Sequence, residues 1–338
     1  MKKSIMSFAI IGMVFLNIQG YAQESVKTIE SQAKNIAVVY TFDKENDKRF
    51  DEFAKQDLKE IGFFLNDPHH RVNDAYAQMS GSTALDNIGF SSILDEKTLR
   101  PLLNKDPRLG GFSPFNLLNY RKKSDMKTVV AHLTPEAILD ILEISDVTIR
   151  EPFIKSFEPL DNLISQKLGG KKSYIPFQKL PQDTMMNFEI PIGEVDDIDE
   201  YLEKFQEKFQ TAFQKEGFVI AGFYNIKESF NSEEDVMPAF TAFWSYAICH
   251  IPFSMHEFDG ENGVPIAAIF APCSMYLYVE KDNKKIVLGM PTLITWSTTL
   301  GISDTKKLEK IHELDIKIPE IIRSLGGVDV PNGNPLKR

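Results

Sequence analysis

Two cysteines, two histidines and a methionine in the last third of the chain have the most distinctive chemistry. In the stretch "AICHIPFSMHEF", Cys249 adjoins His250 and Met255 adjoins His256, and Cys273 follows downstream. Sulfur and imidazole ligands suit zinc, copper or haem iron. The spacing matches no standard zinc pattern, and adjacent residues of a strand point to opposite faces. We therefore predict Cys249, His250 and Cys273 as functional residues and His256 as a candidate metal ligand, with the cofactor unknown.

The sequence leaves three interpretations of the cysteine pair open. Free cysteines are commonly small buried hydrophobes. An exported protein enters an oxidising compartment, where Cys249 and Cys273 can form a disulfide. The pair can also be reactive or metal-ligating, and a low thiol pKa would be the sign of that role.

A second group of candidate ligands lies in the loop "NDPHHRVND". Here Asp67, His69, His70 and Asp74 supply the carboxylate and imidazole groups that can hold a divalent ion. Proline, asparagine and aspartate are also ordinary turn formers, so a solvated loop is the alternative. His69 and His70 are therefore candidate metal ligands only.

Aromatic residues crowd the segment that precedes Cys249. This segment, with Phe240, Trp244 and Tyr246, predicts an aromatic helix beside a sheet. We expect these three side chains and Met255 to line an apolar ligand pocket. The alternative is a hydrophobic layer between helix and sheet. Tyr278, on the predicted strand that begins at Cys273, is another candidate functional residue.

The sequence contains no phosphate loop, nucleophile elbow, zinc-protease motif or dinucleotide fingerprint, which favours a protein that is not an enzyme.

The first 22 residues predict a signal peptide. Two lysines precede an apolar run that is too short to span a bilayer, and "GYA" before Gln23 suits signal peptidase. Removing these two positive charges takes the formal charge from −10 to −12. A strongly acidic chain is unsuited to binding nucleic acid. We expect a periplasmic or secreted protein with no membrane span after cleavage.

The chain contains an internal repeat. Residues 112–146 align with residues 270–304 without a gap, with eleven identities, including Pro114 with Pro272 and Tyr120 with Tyr278. In both copies, alternating apolar residues flank a polar turn, which predicts a hairpin, and a helical segment follows. Phe115 stands in the first copy where Cys273 stands in the second.

The preceding segments also match. Each copy predicts a strand and then an amphipathic helix that ends at a glycine, Gly62 or Gly217. We expect two repeat domains at 23–146 and 186–327, joined by a packed connector at 147–185 with one short helix. Residues 328–338 are expected to be a disordered tail.

These features resemble the family called domain of unknown function 302. The second copy carries the resemblance best, in "EGFVIAGFYNI", "ICHIP" and "APCSMYLYVEKDNKKIVL"; the first keeps "IGFF" and "FSPFNLLNYRKK" but lacks both cysteines. The resemblance implies an α+β fold similar to that of the TATA-binding protein: strand, helix, four antiparallel strands, helix. Two tandem copies would pack as a pseudo-dimer.

The function expected from the sequence is non-catalytic binding of a small molecule or a protein partner in the cell envelope, through the second repeat. The alternative is a thiol-based redox protein, or a protein that binds metal or haem, that uses Cys249 and Cys273. A purely structural role in an envelope complex is the third interpretation.

Overall fold

The structure is a computed structural model that describes residues 33–43, 46–125, 127–229, 237–260 and 262–331. The predicted signal peptide lies outside these residues. In the described part of the chain, no helix is both long and apolar enough to cross a membrane.

The first half forms one antiparallel sheet with helices. Its strands lie in the order β2-β3-β4-β5-β1-β6. The elements are β1 (Asn35–Phe42), α1 (Asp47–Lys55), β2 (Phe63–His69), α2 (Asn73–Ser80), β3 (Leu85–Asp95), α3 (Glu96–Leu103), β4 (Phe115–Lys122), β5 (Thr128–Leu133), α4 (Pro135–Ile141), α5 (Val147–Ser156), α6 (Glu158–Lys167) and β6 (Lys171–Pro176).

The second half repeats this architecture. Its sheet has the order β12-β7-β11-β10-β9-β8, which matches the first sheet strand for strand when read from the opposite edge. The elements are β7 (Met185–Pro191), α7 (Ile198–Lys215), β8 (Val219–Asn225), α8 (Ile226–Ser229), β9 (Phe240–Cys249), α9 (Ile251–Phe258), β10 (Cys273–Glu280), β11 (Lys285–Pro291), α10 (Leu293–Leu300), α11 (Thr305–Ser324) and β12 (Val328–Asp329). The expected α+β class and element order are confirmed.

Local patterns explain the best-predicted elements. The two hairpins form as expected, β4 with β5 and β10 with β11. In α7, Phe205, Phe209 and Phe213 repeat every four residues and are buried, because this stripe faces the sheet. Gly62 and Gly217 adopt φ values of 83° and 85°, a left-handed conformation that suits glycine at the end of a helix.

Residues 147–176 belong to the first half, which differs from the expected connector. The helix α5 begins at Val147, 158 residues before α11 begins at Thr305, so α5 and α6 occupy the sequence positions of α11. The strand β6 then pairs with β1, as β12 pairs with β7. The structural repeat therefore continues to the last strand of each sheet.

The C-terminal expectations also need correction. Val328 and Asp329 form β12, and the N–H of Val330 donates to the carbonyl of Asn187, so the chain is ordered at the start of the expected tail. Residues 332–338 lie outside the described residues. A single helix, α11, runs from Thr305 to Ser324 and continues through Pro319.

The two halves pack reciprocally. The 3-10 helix Pro107–Phe112 of the first half lies on the second sheet, and the 3-10 helix Pro265–Phe270 lies on the first. A side chain at Gly110 would have its Cβ only 2.8 Å from Tyr276 Cβ. The equivalent rings of Phe112 and Phe270 meet with centroids 6.5 Å apart. This exchange produces the pseudo-dimeric arrangement.

Candidate functional site

The two cysteines lie at the same end of the second sheet. Cys249 ends β9 and Cys273 begins β10, with Cys273 opposite Ile248 in the register. Neither forms a disulfide. Burial raises the pKa of the Cys249 thiol to about 11. Burial also raises the pKa of the Cys273 thiol well above its ordinary value, and the neighbouring Cys249 and Asp315 raise it further. Neutral thiols are poor nucleophiles, so this environment opposes thiol reactivity.

Asp315 is a buried acid that sequence reasoning missed. Its carboxylate accepts the backbone N–H groups of Leu293 and Ile294, at 2.7 and 2.8 Å, and so caps the start of α10. Burial raises its pKa to about 6, against the effect of these hydrogen bonds. At the equivalent place in the first half, Phe157 stacks on Phe115 with ring centroids 4.7 Å apart. The Cys273 and Asp315 pair thus replaces two phenylalanines.

His250 caps a helix. Its Nδ1 accepts the N–H of Phe253 at 3.2 Å, and its ring lies 5.2 Å from that of Phe218. Burial lowers its pKa, and the charges of Lys317 and Lys310 act in the same direction. Because His250 Nδ1 accepts this hydrogen bond, it caps the first turn of α9.

The aromatic segment is a strand, so the predicted aromatic helix is wrong. Phe240, Trp244 and Tyr246 lie on β9 and are buried. The Tyr246 ring packs between Phe209 of α7 and Phe223 of β8, with both centroids 4.9 Å away. The alternative interpretation holds for these residues: they form the hydrophobic layer of the fold.

Tyr278 is fully buried within this layer. Its ring centroid lies 5.2 Å from that of Phe240 and 5.6 Å from that of Phe243. Among the described residues, none hydrogen-bonds to its hydroxyl. Burial raises its pKa far above the ordinary value, so the phenol stays neutral.

His69 and His70 face different carboxylates. His69 Nε2 is 3.3 Å from Asp67 Oδ2, whereas His70 Nδ1 is 3.4 Å from Asp51 Oδ1. Within the described ranges, no group of three or more ligating side chains is arranged to hold a metal ion. The two histidines of the sequence-predicted loop are therefore the end of β2 and the residue after it, and their imidazoles lie beside separate carboxylates.

Met255 and His256 line a cleft of about 650 Å³ between the two halves. The N–H of Ala84 donates to Asp259 Oδ1 across it, at 2.8 Å. Lys307 Nζ donates to the carbonyl of His256 at 2.6 Å, and so ties α9 to α11. Other lining residues are Ser80, Ser82, Thr83, Asp304 and Lys306. Donors and acceptors of both halves therefore face the same space.

A buried polar network in the first half also escaped sequence reasoning. Asp161 Oδ1 accepts the Tyr40 hydroxyl at 2.6 Å and lies 3.1 Å from His132 Nε2. Lys172 Nζ is 3.2 Å from Asp161 Oδ2. Burial raises the pKa of Asp161, but the hydrogen bonds from His132 and Tyr40 and the charges of His132 and Lys172 outweigh it and lower the pKa to about 2.

The chain has a structural neighbour among the solved structures. No family model matches the chain, and no curated protein matches it. A crystal structure of an uncharacterized conserved protein DUF302 from Bacillus stearothermophilus aligns with 15% identity and a TM-score of 0.32. The alignment covers 41% of this chain and 96% of that one.

Proposed function

We propose that the protein binds a small polar molecule in the cleft between its halves and does not transform it. The observation that carries the proposal is the cleft itself, whose volume of about 650 Å³ is in the range of small-molecule sites. Met255 and His256 bring the second half to this cleft, in line with the expected role of the second repeat.

The lining chemistry favours a hydroxylated ligand of the saccharide class. Ser80 and Ser82 offer hydroxyls, Asp259 and Asp304 offer carboxylate acceptors, and Lys306 offers an ammonium donor. Such a mixture of donors and acceptors pairs well with a molecule that carries many hydroxyls. The thioether of Met255 supplies an apolar contact.

We further propose that the chain is a tandem member of the domain of unknown function 302 family, exported to the periplasm or secreted. The sequence resemblance and the two similar halves support the first part, and residues 1–22 support the second. Intact mass of the protein isolated from its own envelope tests export, because cleavage would leave Gln23 as the first residue.

Native mass spectrometry of the exported protein tests binding. Wild type should retain a small molecule, whereas Ser82→Trp should lose it, because the indole fills the cleft from an exposed loop. Ser124→Trp is the matched control, since Ser124 is also an exposed serine in a turn but lies outside the cleft. Equal retention by Ser82→Trp, or no retention by wild type after incubation with an envelope extract, would contradict the proposal.

A further inference from the structure

The first half contains a second cavity, separate from the cleft. It has a volume of about 430 Å³, and Asp161 forms part of its wall. Because Tyr40, His132 and Lys172 hold the Asp161 side chain on both oxygens, its carboxylate is fixed and ionised at the edge of this space. Val38 and Phe157 add apolar lining.

The fold does not require this polar network. In the registers, Tyr40 faces Val130 and Phe188 faces Leu288, so Phe188 is the counterpart of Tyr40 in the second half. At the repeat offset of 158 residues, Met290 replaces His132 and Pro319 replaces Asp161. The same sheet and helices thus form with apolar residues at all three positions.

The mouth of the cavity carries charges without partners. In the part of the chain that the structure describes, neither the Glu136 nor the Glu158 carboxylate forms an ion pair or hydrogen bond. Both acids lie in first turns of helices, where the dipole favours negative charge, but that position gives them no counterion. Lys34 is the cation among the lining residues, and the Lys172 ammonium, which is paired with Asp161, lies beside Tyr174.

An exposed aromatic ring completes the mouth. Tyr174 is 52% exposed, although large aromatic side chains are usually buried more deeply. The Lys172 ammonium lies 5.5 Å from its ring centroid and 5.7 Å from that of Tyr40. These tyrosine faces therefore already accept a cation through their π electrons.

We propose that this cavity binds a small organic cation, an ammonium group attached to an aromatic or apolar body. Glu136 and Glu158 attract the ammonium, Tyr174 covers it, and the apolar lining receives the body. Asp161, already paired with Lys172, is a fixed polar part of the wall. The proposal is independent of ligand binding in the cleft between the halves.

Isothermal titration of the full chain with phenethylamine tests the proposal. Phenethylamine should bind saturably and at least about fivefold more tightly than phenethyl alcohol or phenylacetate, which keep the ring without the positive charge. The double variant Glu136→Gln with Glu158→Gln should weaken binding about fivefold or more. Tyr174→Leu should weaken it about threefold.

The controls separate this site from the cleft and from general charge effects. Glu151→Gln removes an exposed carboxylate of α5 that does not line the cavity and should leave the affinity unchanged. Ser82→Trp, which fills the cleft, should also leave phenethylamine binding unchanged. Absence of saturable binding, equal binding of phenylacetate, or an unchanged affinity in the Glu136 and Glu158 double variant would overturn the inference.

Discussion

Replacing Asp161 with asparagine should destabilise the first half in a pH-dependent way. The amide has nearly the same shape as the carboxylate but no charge, and only one of its two end atoms accepts hydrogen bonds. It therefore cannot satisfy Tyr40, His132 and Lys172 together, which all approach the Asp161 carboxylate.

The magnitude follows from the pKa of Asp161. The native state lowers it from 3.8 to about 2. At about 1.36 kcal/mol per pKa unit, the ionised carboxylate contributes about 2 kcal/mol at pH 7, after a small allowance for solvent screening. Because the native pKa is lowered, this contribution is present above pH 3.8 and is lost as the pH falls through about 2. About half of it should remain at pH 3.

Urea unfolding followed by circular dichroism measures this contribution. At pH 7, Asp161→Asn should lower the free energy of unfolding by about 2 kcal/mol, and the difference from wild type should be about half as large at pH 3. Asp196→Asn is the matched control, since Asp196 is exposed and has no polar partner among the described residues. A loss below about 0.5 kcal/mol at pH 7, or a difference that does not shrink at low pH, would refute the reasoning.

Three further predictions concern the second half and its contact with the first. Gly110→Ala should destabilise the protein by about 1–3 kcal/mol in thermal or urea unfolding, because the added Cβ meets side-chain atoms of Tyr276 and Phe243 in the second sheet at 2.8–3.2 Å. Gly193→Ala, with nothing within 4 Å of the added Cβ, should have little effect. Burial raises the pKa of both thiols, Cys249 and Cys273, so they should react slowly with iodoacetamide at about pH 8 in the native protein. Both should react fully in urea, and fast labelling of the native protein would contradict this. Folding raises the pKa of Asp315 from 3.8 to about 6, so protonation of this carboxylate stabilises the native state as the pH falls through 6. When the pH is lowered from about 7.5 to about 5, the melting temperature should therefore rise more in wild type than in Asp315→Asn. Equal rises in the two proteins would contradict this.

The elements that could be predicted are those with local patterns. The hairpins and α7 have clear two-residue and near four-residue periods, and glycine marks where helices end. The segment that became β9 has no clear period, because aromatic residues cover both of its faces, one packed on α7 and the other on the first half. A strand buried on both faces can therefore be mistaken for a helix.

The polar network could not be predicted because its members are far apart in sequence. The Tyr40 and Asp161 contact joins residues 121 positions apart, through a helix assigned to a connector. One signal was present: His132 interrupts the apolar strand "TVVAHL", at the position where the second copy has Met290. A buried ionisable residue in only one of two copies is a reason to look for a partner.

The two halves differ in where they bury polar groups, and the difference is reciprocal. The first half has Tyr40, His132 and Asp161 where the second has apolar residues, and the second has Cys273 and Asp315 where the first stacks Phe115 on Phe157. Burying polar or ionisable groups costs free energy unless their partners compensate, and each counterpart shows that the fold can form with apolar packing instead. The duplicated sheet thus explains the shared pattern of the chain, and its unshared polar residues are the positions at which to test function.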